Sequence, residues 1–278
     1  MITVRIAKSA GFCFGVRDAI QIALDTAQSK QGPVHMLGHI VHNEHVVKSI
    51  HEAGVKVVNQ VQDIDSGILL IRAHGAVPSI YEEAKKRGLQ VVDATCPLVL
   101  EIHEYARELE KEGYRVVIIG DHGHDEVIGI SGQVKDAIVI AKPEEADKVG
   151  RMKKIGVVVQ STQNIENVQK IVAKLVGKCQ ELKFINTICG PTTAHQNEIR
   201  TMPLENDVMI IVGSFTSANT KRLTAISQSL NPRTYQVESA ADLNPAWFHG
   251  AQTVGVSAGA STPDSIINEV VEKIKSLG

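Results

Sequence analysis

One pattern recurs along this chain and narrows its fold before any single residue is considered. A short run of β-branched and aliphatic residues ends in a small polar cluster, and a segment of helical character follows. Ile68–Ile71 leads into Ala73-His74-Gly75, Val116–Ile119 into a loop over 120–126, and Val157–Val159 into Gln160-Ser161-Thr162. Val208–Val212 leads into Gly213–Asn219, and Val254–Val256 into Ala258–Thr262. Such unbroken apolar runs suit strands buried on both faces, and helices of about 10–15 residues between them supply the crossovers of parallel sheets. The fold class is α/β. Several helix ends are marked by residue type. Ser79 with Glu82 reads as a capping box, Asn164 as an N-cap for a helix to Val176 stopped by Gly177, and Thr262-Pro263-Asp264 as the start of the final helix.

The cysteines punctuate this pattern. Cys13, Cys96 and Cys189 cut the chain into thirds, and the phrases Val92-Asp93-Ala94-Thr95-Cys96-Pro97 and Ile185-Asn186-Thr187-Ile188-Cys189-Gly190 resemble one another. This predicts three α/β modules, 14–96, 97–189 and 190–278, with residues 1–13 forming a strand that leads to the first cysteine. Ligands of open parallel sheets bind outside the carboxyl ends of the strands, where these polar clusters fall. Cys13 sits in Gly11-Phe12-Cys13-Phe14-Gly15, whose glycines allow close approach of a bulky group, whereas Cys179 has no such setting and reads as structural. No CxxC pair is present, so a zinc ribbon is disfavoured. Three distant thiolates suit a zinc ion, or three irons of a cubane cluster whose fourth iron stays open to a substrate oxygen. Cysteine count does not separate the two.

The polar loops supply candidate anion ligands. His42, His74 and His124 stand at strand-to-helix junctions, and Ser217, Asn219 and Ser261 lie in the last third beside glycines and helix starts. Imidazoles, hydroxyls, an amide and helix N-termini make an anion cradle without a P-loop lysine, and no GxxxxGK[ST] occurs. His35, His39, His42 and His45 approach helical spacing and read as a polar stretch rather than a zinc motif. Glu126, beside His124 and near a metal-bound hydroxyl, would serve as a proton donor. With Lys+Arg 29 against Asp+Glu 31, the net charge of −2 argues against nucleic acid as a partner. The longest apolar runs fall far short of the ~20 residues a membrane span needs. The first fifteen residues alternate like a strand and lack the apolar stretch of a secretion signal, so a cytoplasmic protein is expected.

Taken together, GFCFGV (11–16), GHIVHN (38–43), AHG (73–75), DATCPLV (93–99), GHDE (123–126), TIC (187–189), GSFTSAN (213–219) and AGASTPD (258–264) resemble the 4-hydroxy-3-methylbut-2-enyl diphosphate reductase family, over nearly the whole chain. The resemblance implies three similar α/β modules, mainly of parallel sheet, arranged pseudo-threefold around a central [4Fe–4S] cluster. Cys13, Cys96 and Cys189 match its ligands, which leaves the fourth iron open to the allylic hydroxyl of the substrate. Glu126 matches the proton donor. His42, His74, His124, Thr192, Ser217, Ala218, Asn219 and Ser261 match the substrate site, and Ser161 or Thr162 supplies the hydroxyl that approaches the substrate alcohol. The implied reaction removes that hydroxyl with two electrons and two protons and yields isopentenyl and dimethylallyl diphosphate. No flavin or nicotinamide fingerprint is present, so a ferredoxin or flavodoxin is the expected electron donor, and a monomer the expected state.

Three positions depart from the family pattern. Ala218 replaces a common serine and leaves only a backbone contact there, Asp125 replaces a common proline, and His195 replaces an arginine. Two other readings use the same residues: a zinc hydrolase or dehydratase, which would be colourless, and a non-catalytic iron–sulfur sensor, which would need an exposed basic or apolar surface and no anion pocket.

Overall fold

A computed structural model describes residues 2–29 and 32–277. Twelve short strands follow in chain order: β1 (Thr3–Ile6), β2 (Val34–Leu37), β3 (Val55–Val58), β4 (Ile68–Ile71), β5 (Gln90–Asp93), β6 (Arg115–Ile119), β7 (Ile138–Ile140), β8 (Met152–Val159), β9 (Cys179–Phe184), β10 (Val208–Val212), β11 (Thr234–Val237) and β12 (Thr253–Ala258). They form three four-stranded sheets, ordered β3-β2-β4-β5, β7-β6-β8-β9 and β11-β10-β12-β1. Every pairing is parallel.

The three sheets share one topology. In each, the first strand of the module lies between the second and the third, and a fourth lies outside the third. In the last sheet that fourth place is taken by β1, from the opposite end of the chain, in register with β12 from Thr3↔Thr253 to Ile6↔Val256. The order therefore reverses between the first and third strands of every sheet: β2 and β4, β6 and β8, β10 and β12. Crevices at such reversals are where ligands bind in open α/β sheets.

The central strands explain the unbroken apolar runs. Every residue of β4 and β10 is buried, as are Val116–Ile119 and Ile155–Val159. Separate apolar layers cover both faces of the second and third sheets. Val117, Ile119, Val157 and Val159 pack with Val168, Ile171 and Leu175, while Ile118 and Val158 pack with Ile102, Ala106 and Leu109. On the third sheet, Ile210, Val212 and Val256 pack with Val270 and Ile274, and Met209 and Ile211 with Ile199 and Leu223. With aromatics at only 4%, aliphatic side chains fill these layers.

By contact density the chain divides into two compact units. One comprises Met1–Arg17, His42–Lys48 and Gly190–Gly278, with the third sheet; the other comprises Asp18–Val41 and Ser49–Cys189, with the first two. Among the described residues no helix is long and apolar enough to cross a membrane.

Some local expectations change. Ser79 caps nothing, because the helix Pro78–Lys86 begins one residue earlier, with Pro78 in its first turn and Val77 ahead of it. Proline presets the helical φ and lacks the N–H that a cap would satisfy. Asn164 does cap the helix Ile165–Val176, accepting from the N–H groups of Glu166 at 2.8 Å and Asn167 at 3.3 Å. Glu126 lies not in a loop but in the first turn of the helix Asp125–Ser131. His35 belongs to β2 and His45 to the helix Glu44–Glu52, so the four histidines of 35–45 share no helix face.

Candidate active site

The repeated topology sorts the candidate residues by kind. Each of the three cysteines lies between the fourth strand of a module and the helix that follows. Cys13 precedes Phe14–Gln28, Cys96 precedes Pro97–Lys111, and Cys189 precedes Gly190–Ile199. All three are partly buried. Their backbone N–H groups also make equivalent bonds, each to a carbonyl just past the third strand of the same sheet. Cys96 donates to Ala73 at 3.0 Å, Cys189 to Ser161 at 3.0 Å, and Cys13 to Ala260 at 3.2 Å. A helix N-terminus favours negative charge beside it, which suits a thiolate. Cys179 stands apart: it opens β9, its Sγ donates to the Leu175 carbonyl at 3.5 Å, and burial pushes its thiol up.

The hydroxyl, imidazole and carboxylate candidates follow the first and third strands. In the larger unit these are His74 after β4, His124 and Glu126 after β6, and Ser161 and Thr162 after β8. Glu126 is 2% exposed, and Ser161 clasps its carboxylate twice. The Ser161 N–H donates to Oε1 at 2.6 Å and the hydroxyl to Oε2 at 2.8 Å. The Glu126 N–H in turn donates to His124 Nδ1 at 3.2 Å, making His124 the N-cap of that helix. An imidazole that accepts at Nδ1 in its neutral form carries its proton on Nε2. The rings of His74 and His124 meet edge to face, with centroids 5.5 Å apart. Thr162 Oγ1 accepts from the Gln160 amide at 3.0 Å, and the other end of that amide accepts from the Asp121 N–H at 2.8 Å. This ties the turn after β8 to the turn after β6.

Two further contacts hold these loops and were not foreseen from sequence. Arg72 and Asp125 pair at 2.6 Å, joining the residue two before His74 to the residue between His124 and Glu126. His103, on the helix Pro97–Lys111, is 4% exposed and packs where any side chain on Gly75 would collide with it: a Cβ there would stand 2.8 Å from Cε1, and Gly75 has φ +75°. A Cβ on Gly129 would stand 3.3 Å from His103 Nε2. Burial, with Arg107 as a secondary cause, pushes His103 down to about 4, so it is neutral at pH 7. No sequence signal marks His103, because its neighbours come from two other segments.

In the smaller unit, Ser217 caps the helix Ala218–Leu230, its Oγ accepting from the Thr220 N–H at 3.3 Å. Its own hydroxyl hydrogen remains for a ligand. Asn219, in the first turn, is 5% exposed, and neither its amide oxygen nor its nitrogen has a hydrogen-bond partner. Buried polar atoms of that kind are costly unless a ligand or water satisfies them. Ala218 is the first helical residue, whose N–H has no intrahelical acceptor. Ser261 donates to the His42 carbonyl at 3.4 Å, so the loop that bonds the Cys13 N–H through Ala260 also touches His42. Thr192, 2% exposed, lies in the first turn of the helix after Cys189.

The family described as LytB protein matches residues 4–275. The chain belongs to the LytB family. It is similar, at 44% identity over 98% of this chain and 96% of the relative, to a protein of Geobacter metallireducens named 4-hydroxy-3-methylbut-2-enyl diphosphate reductase. A protein of Aquifex aeolicus with the same name is 41% identical over 100% of this chain and 97% of its own. Among solved structures, the E-1-hydroxy-2-methyl-but-2-enyl-4-diphosphate reductase of Plasmodium falciparum superposes with a TM-score of 0.93 at 31% identity, covering 98% of this chain and 87% of that one. Another, titled as an (E)-4-hydroxy-3-methyl-but-2-enyl diphosphate reductase, the terminal enzyme of the non-mevalonate pathway, gives 0.73 at 41% identity and covers 99% and 100%. As a LytB chain this one carries the three parallel-sheet modules of the family.

Proposed function

We propose that this chain is a 4-hydroxy-3-methylbut-2-enyl diphosphate reductase that holds one [4Fe–4S] cluster on Cys13, Cys96 and Cys189. The observation that carries the reading is the buried Glu126 carboxylate clasped by Ser161 beside the His74–His124 pair. The donor set fits a cluster: three cysteines in equivalent places, each at a helix start, with the fourth cysteine of the chain in a different setting. When bound, the cluster supplies electrons singly and one iron, not held by cysteine, that polarises the substrate C–O bond.

The rest falls to side chains. The diphosphate takes hydrogen bonds from His42, His74, His124, Ser217, Asn219 and Ser261, and from the Ala218 N–H. The helix start at Ala218 adds a favourable dipole. Held at its far end, the substrate presents its alcohol without further loss of orientational freedom. Glu126 takes up and delivers a proton at Oε2, next to Ser161 Oγ. When Glu126 is protonated there, Ser161 Oγ accepts from it and its own hydrogen turns toward the substrate hydroxyl. Two electrons and two protons are consumed: the C–O bond breaks, one proton leaves with the hydroxyl as water, and the other forms the new C–H bond. Thr162, tied to Gln160, fixes the turn that carries Ser161, and Thr192 lines the site beside Cys189. Module boundaries at 14–96, 97–189 and 190–278, a ferredoxin or flavodoxin as donor, a cytoplasmic location and a monomeric state complete the reading.

The test is anaerobic purification with iron and sulfide counting, then turnover of the diphosphate alcohol with a chemical reductant. Four irons and four sulfides per chain with formation of both isomers is the expected result. A colourless protein with one zinc would overturn it in favour of a hydrolase.

A further inference from the structure

The three cysteine loops are fastened differently. Before Cys96, the N–H and hydroxyl of Thr95 both bond Asp93, two residues back, with the N–H at 2.9 Å. Before Cys189, the Ile188 N–H bonds the Asn186 side chain at 3.3 Å. Both loops are thus capped from within. The loop before Cys13 has one internal main-chain bond, from the Ala10 N–H to the Ala7 carbonyl at 3.1 Å, and takes its side-chain hold from far along the chain. Its last sheet bond is from the Ala7 N–H to the Val256 carbonyl, at 2.8 Å. Beyond it, the Lys8 and Ser9 N–H groups both donate to Glu198, to Oε1 at 2.7 Å and Oε2 at 2.9 Å, and the Ser9 hydroxyl adds a bond to Oε2 at 2.6 Å.

Glu198 lies in the last turn of the helix Gly190–Ile199, the helix that begins directly after Cys189. A carboxylate faces the negative end of the helix dipole there, so helix physics alone does not favour glutamate at this position. Burial pushes its carboxyl up, but the bonds from Ser9 and Lys8 together with His195 outweigh that and hold it below the usual carboxylate range. One turn earlier, His195 is 3% exposed and hydrogen-bonds the backbone of Ser9. His195 is the residue that departs from the family's arginine. Ser9 is therefore gripped at its N–H, its hydroxyl and its backbone beyond. Two residues later the chain turns at Gly11, φ +102°, where a Cβ would stand 2.6 Å from Asp264 Oδ1.

We propose that Glu198 and His195 are positioning residues that set the Cys13 loop and so determine how firmly iron is held at that corner of the cluster. The proposal rests on the reading of Cys13 as a cluster ligand. A carboxylate with two consecutive backbone N–H groups and a hydroxyl fixes a loop in one conformation, and the thiolate four residues on inherits that order. Outer-shell groups of metal sites act in this way, without touching the metal.

The experiment compares wild type with Glu198→Ala, Ser9→Ala and His195→Gln as anaerobically purified holoproteins. Iron release to a ferrous chelator is timed, and iodoacetamide labelling is mapped cysteine by cysteine during release, with Cys179 as the internal reference. For Glu198→Ala we expect iron release faster by roughly 10-fold or more, with Cys13 labelled before Cys96 and Cys189. Ser9→Ala, which removes one of the three bonds, should show the same order of labelling with a smaller rate effect. If Glu198→Ala does not accumulate as folded protein, the labelling order in Ser9→Ala and His195→Gln decides. Release at the wild-type rate, or simultaneous labelling of all three cysteines with a lowered Tm, would overturn the positioning role. A wild type that binds no iron would overturn the cluster reading instead, a result distinct from an iron-loaded Glu198→Ala with unaltered release.

Discussion

Glu126→Gln separates the proton from everything else this side chain does. Glutamine keeps the shape. Its amide oxygen can take the Ser161 N–H now bound at 2.6 Å, and its NH2 can face Ser161 Oγ, now at 2.8 Å, once that hydroxyl turns to accept. Two charge-assisted bonds become two neutral ones, a loss of about 1 kcal/mol each. A chain of this size should then lose a few degrees of Tm, about 2–4 °C per kcal/mol. The rate should respond on another scale. Removing a positioned general acid costs about 10²–10⁴-fold, or roughly 3–5 kcal/mol of barrier. The assay is steady-state turnover with a chemical reductant, alongside KM and a thermal melt. We expect kcat to collapse, KM to move little, and the melt to show a protein still folded at the assay temperature. Asp125 is the control, one residue away but already committed to Arg72 at 2.6 Å. Asp125→Asn should cost about 1 kcal/mol of stability, as a half-buried pair does, and leave kcat near wild type. Turnover of Glu126→Gln within a few-fold of wild type, with Asp125→Asn inactive, would refute the assignment of the donor.

Other expectations follow from the same geometry. Cys179→Ser should leave iron content and turnover near wild type, since its Sγ bonds the Leu175 carbonyl at 3.5 Å and the side chain packs against the core of the second sheet; iron counting checks this. His42→Leu and His74→Leu should raise KM by roughly 10- to 100-fold, the loss of one hydrogen bond to a charged group, and keep their iron; loss of iron would make these histidines metal ligands. His103 should give the fold an acid-sensitive limb. Its folded value, about 4, lies below the ordinary 6.5, so the unfolded chain binds more protons between these values. The stabilisation is fully present above pH 6.5, falls as pH drops and is lost by about pH 4, a total of roughly 3 kcal/mol. Urea melts across that range should show the slope, and His103→Gln should flatten it.

Legibility from sequence followed burial. Apart from β1, legible by its alternation, the strands read from sequence, β4, β6, β8, β10 and β12, are central in their sheets and almost wholly buried, so their residues run apolar without a break. The outer strands are fainter in the sequence because one side of each lacks a neighbouring strand: β5 and β9, with Gln90-Val91-Val92-Asp93 and Cys179-Gln180-Glu181-Leu182, show only as short apolar runs ahead of Cys96 and Cys189, polar residues interrupt β3 and β11, and β7 is only three residues long. Central β2 was missed for another reason: it is four residues long and contains His35. Site residues carried by strand-end motifs were legible as motifs. The clasp of Glu126 by Ser161, the Arg72–Asp125 pair and the packing of His103 were not, since each joins segments that only the fold brings together. Helix starts failed where proline does the work of a cap, as at Pro78.

The shared topology explains why three cysteines and two sets of polar residues occur where they do. In each sheet the first and third strands flank the reversal of strand order, and their following loops carry the candidate anion and proton groups. The fourth strand always leads, through a short loop, to a cysteine at a helix start. The bond from each cysteine N–H to a carbonyl beside His74, at Ser161 or beside Ser261 then links the two kinds of loop within every module. A module of this design brings one thiolate and one set of polar groups to the same strand-end edge, at a separation fixed by one backbone bond of 3.0–3.2 Å. The bond lies between main-chain atoms next to buried strands. The third module meets the same requirement only by borrowing β1 from the other end of the chain. In its cysteine loop the side-chain cap comes not from two residues back, as in the other two, but from Glu198 on a distant helix. A chain shortened ahead of Thr3 should keep all three loops, whereas one that loses β1 should lose the Cys13 corner and leave Cys96 and Cys189 in place.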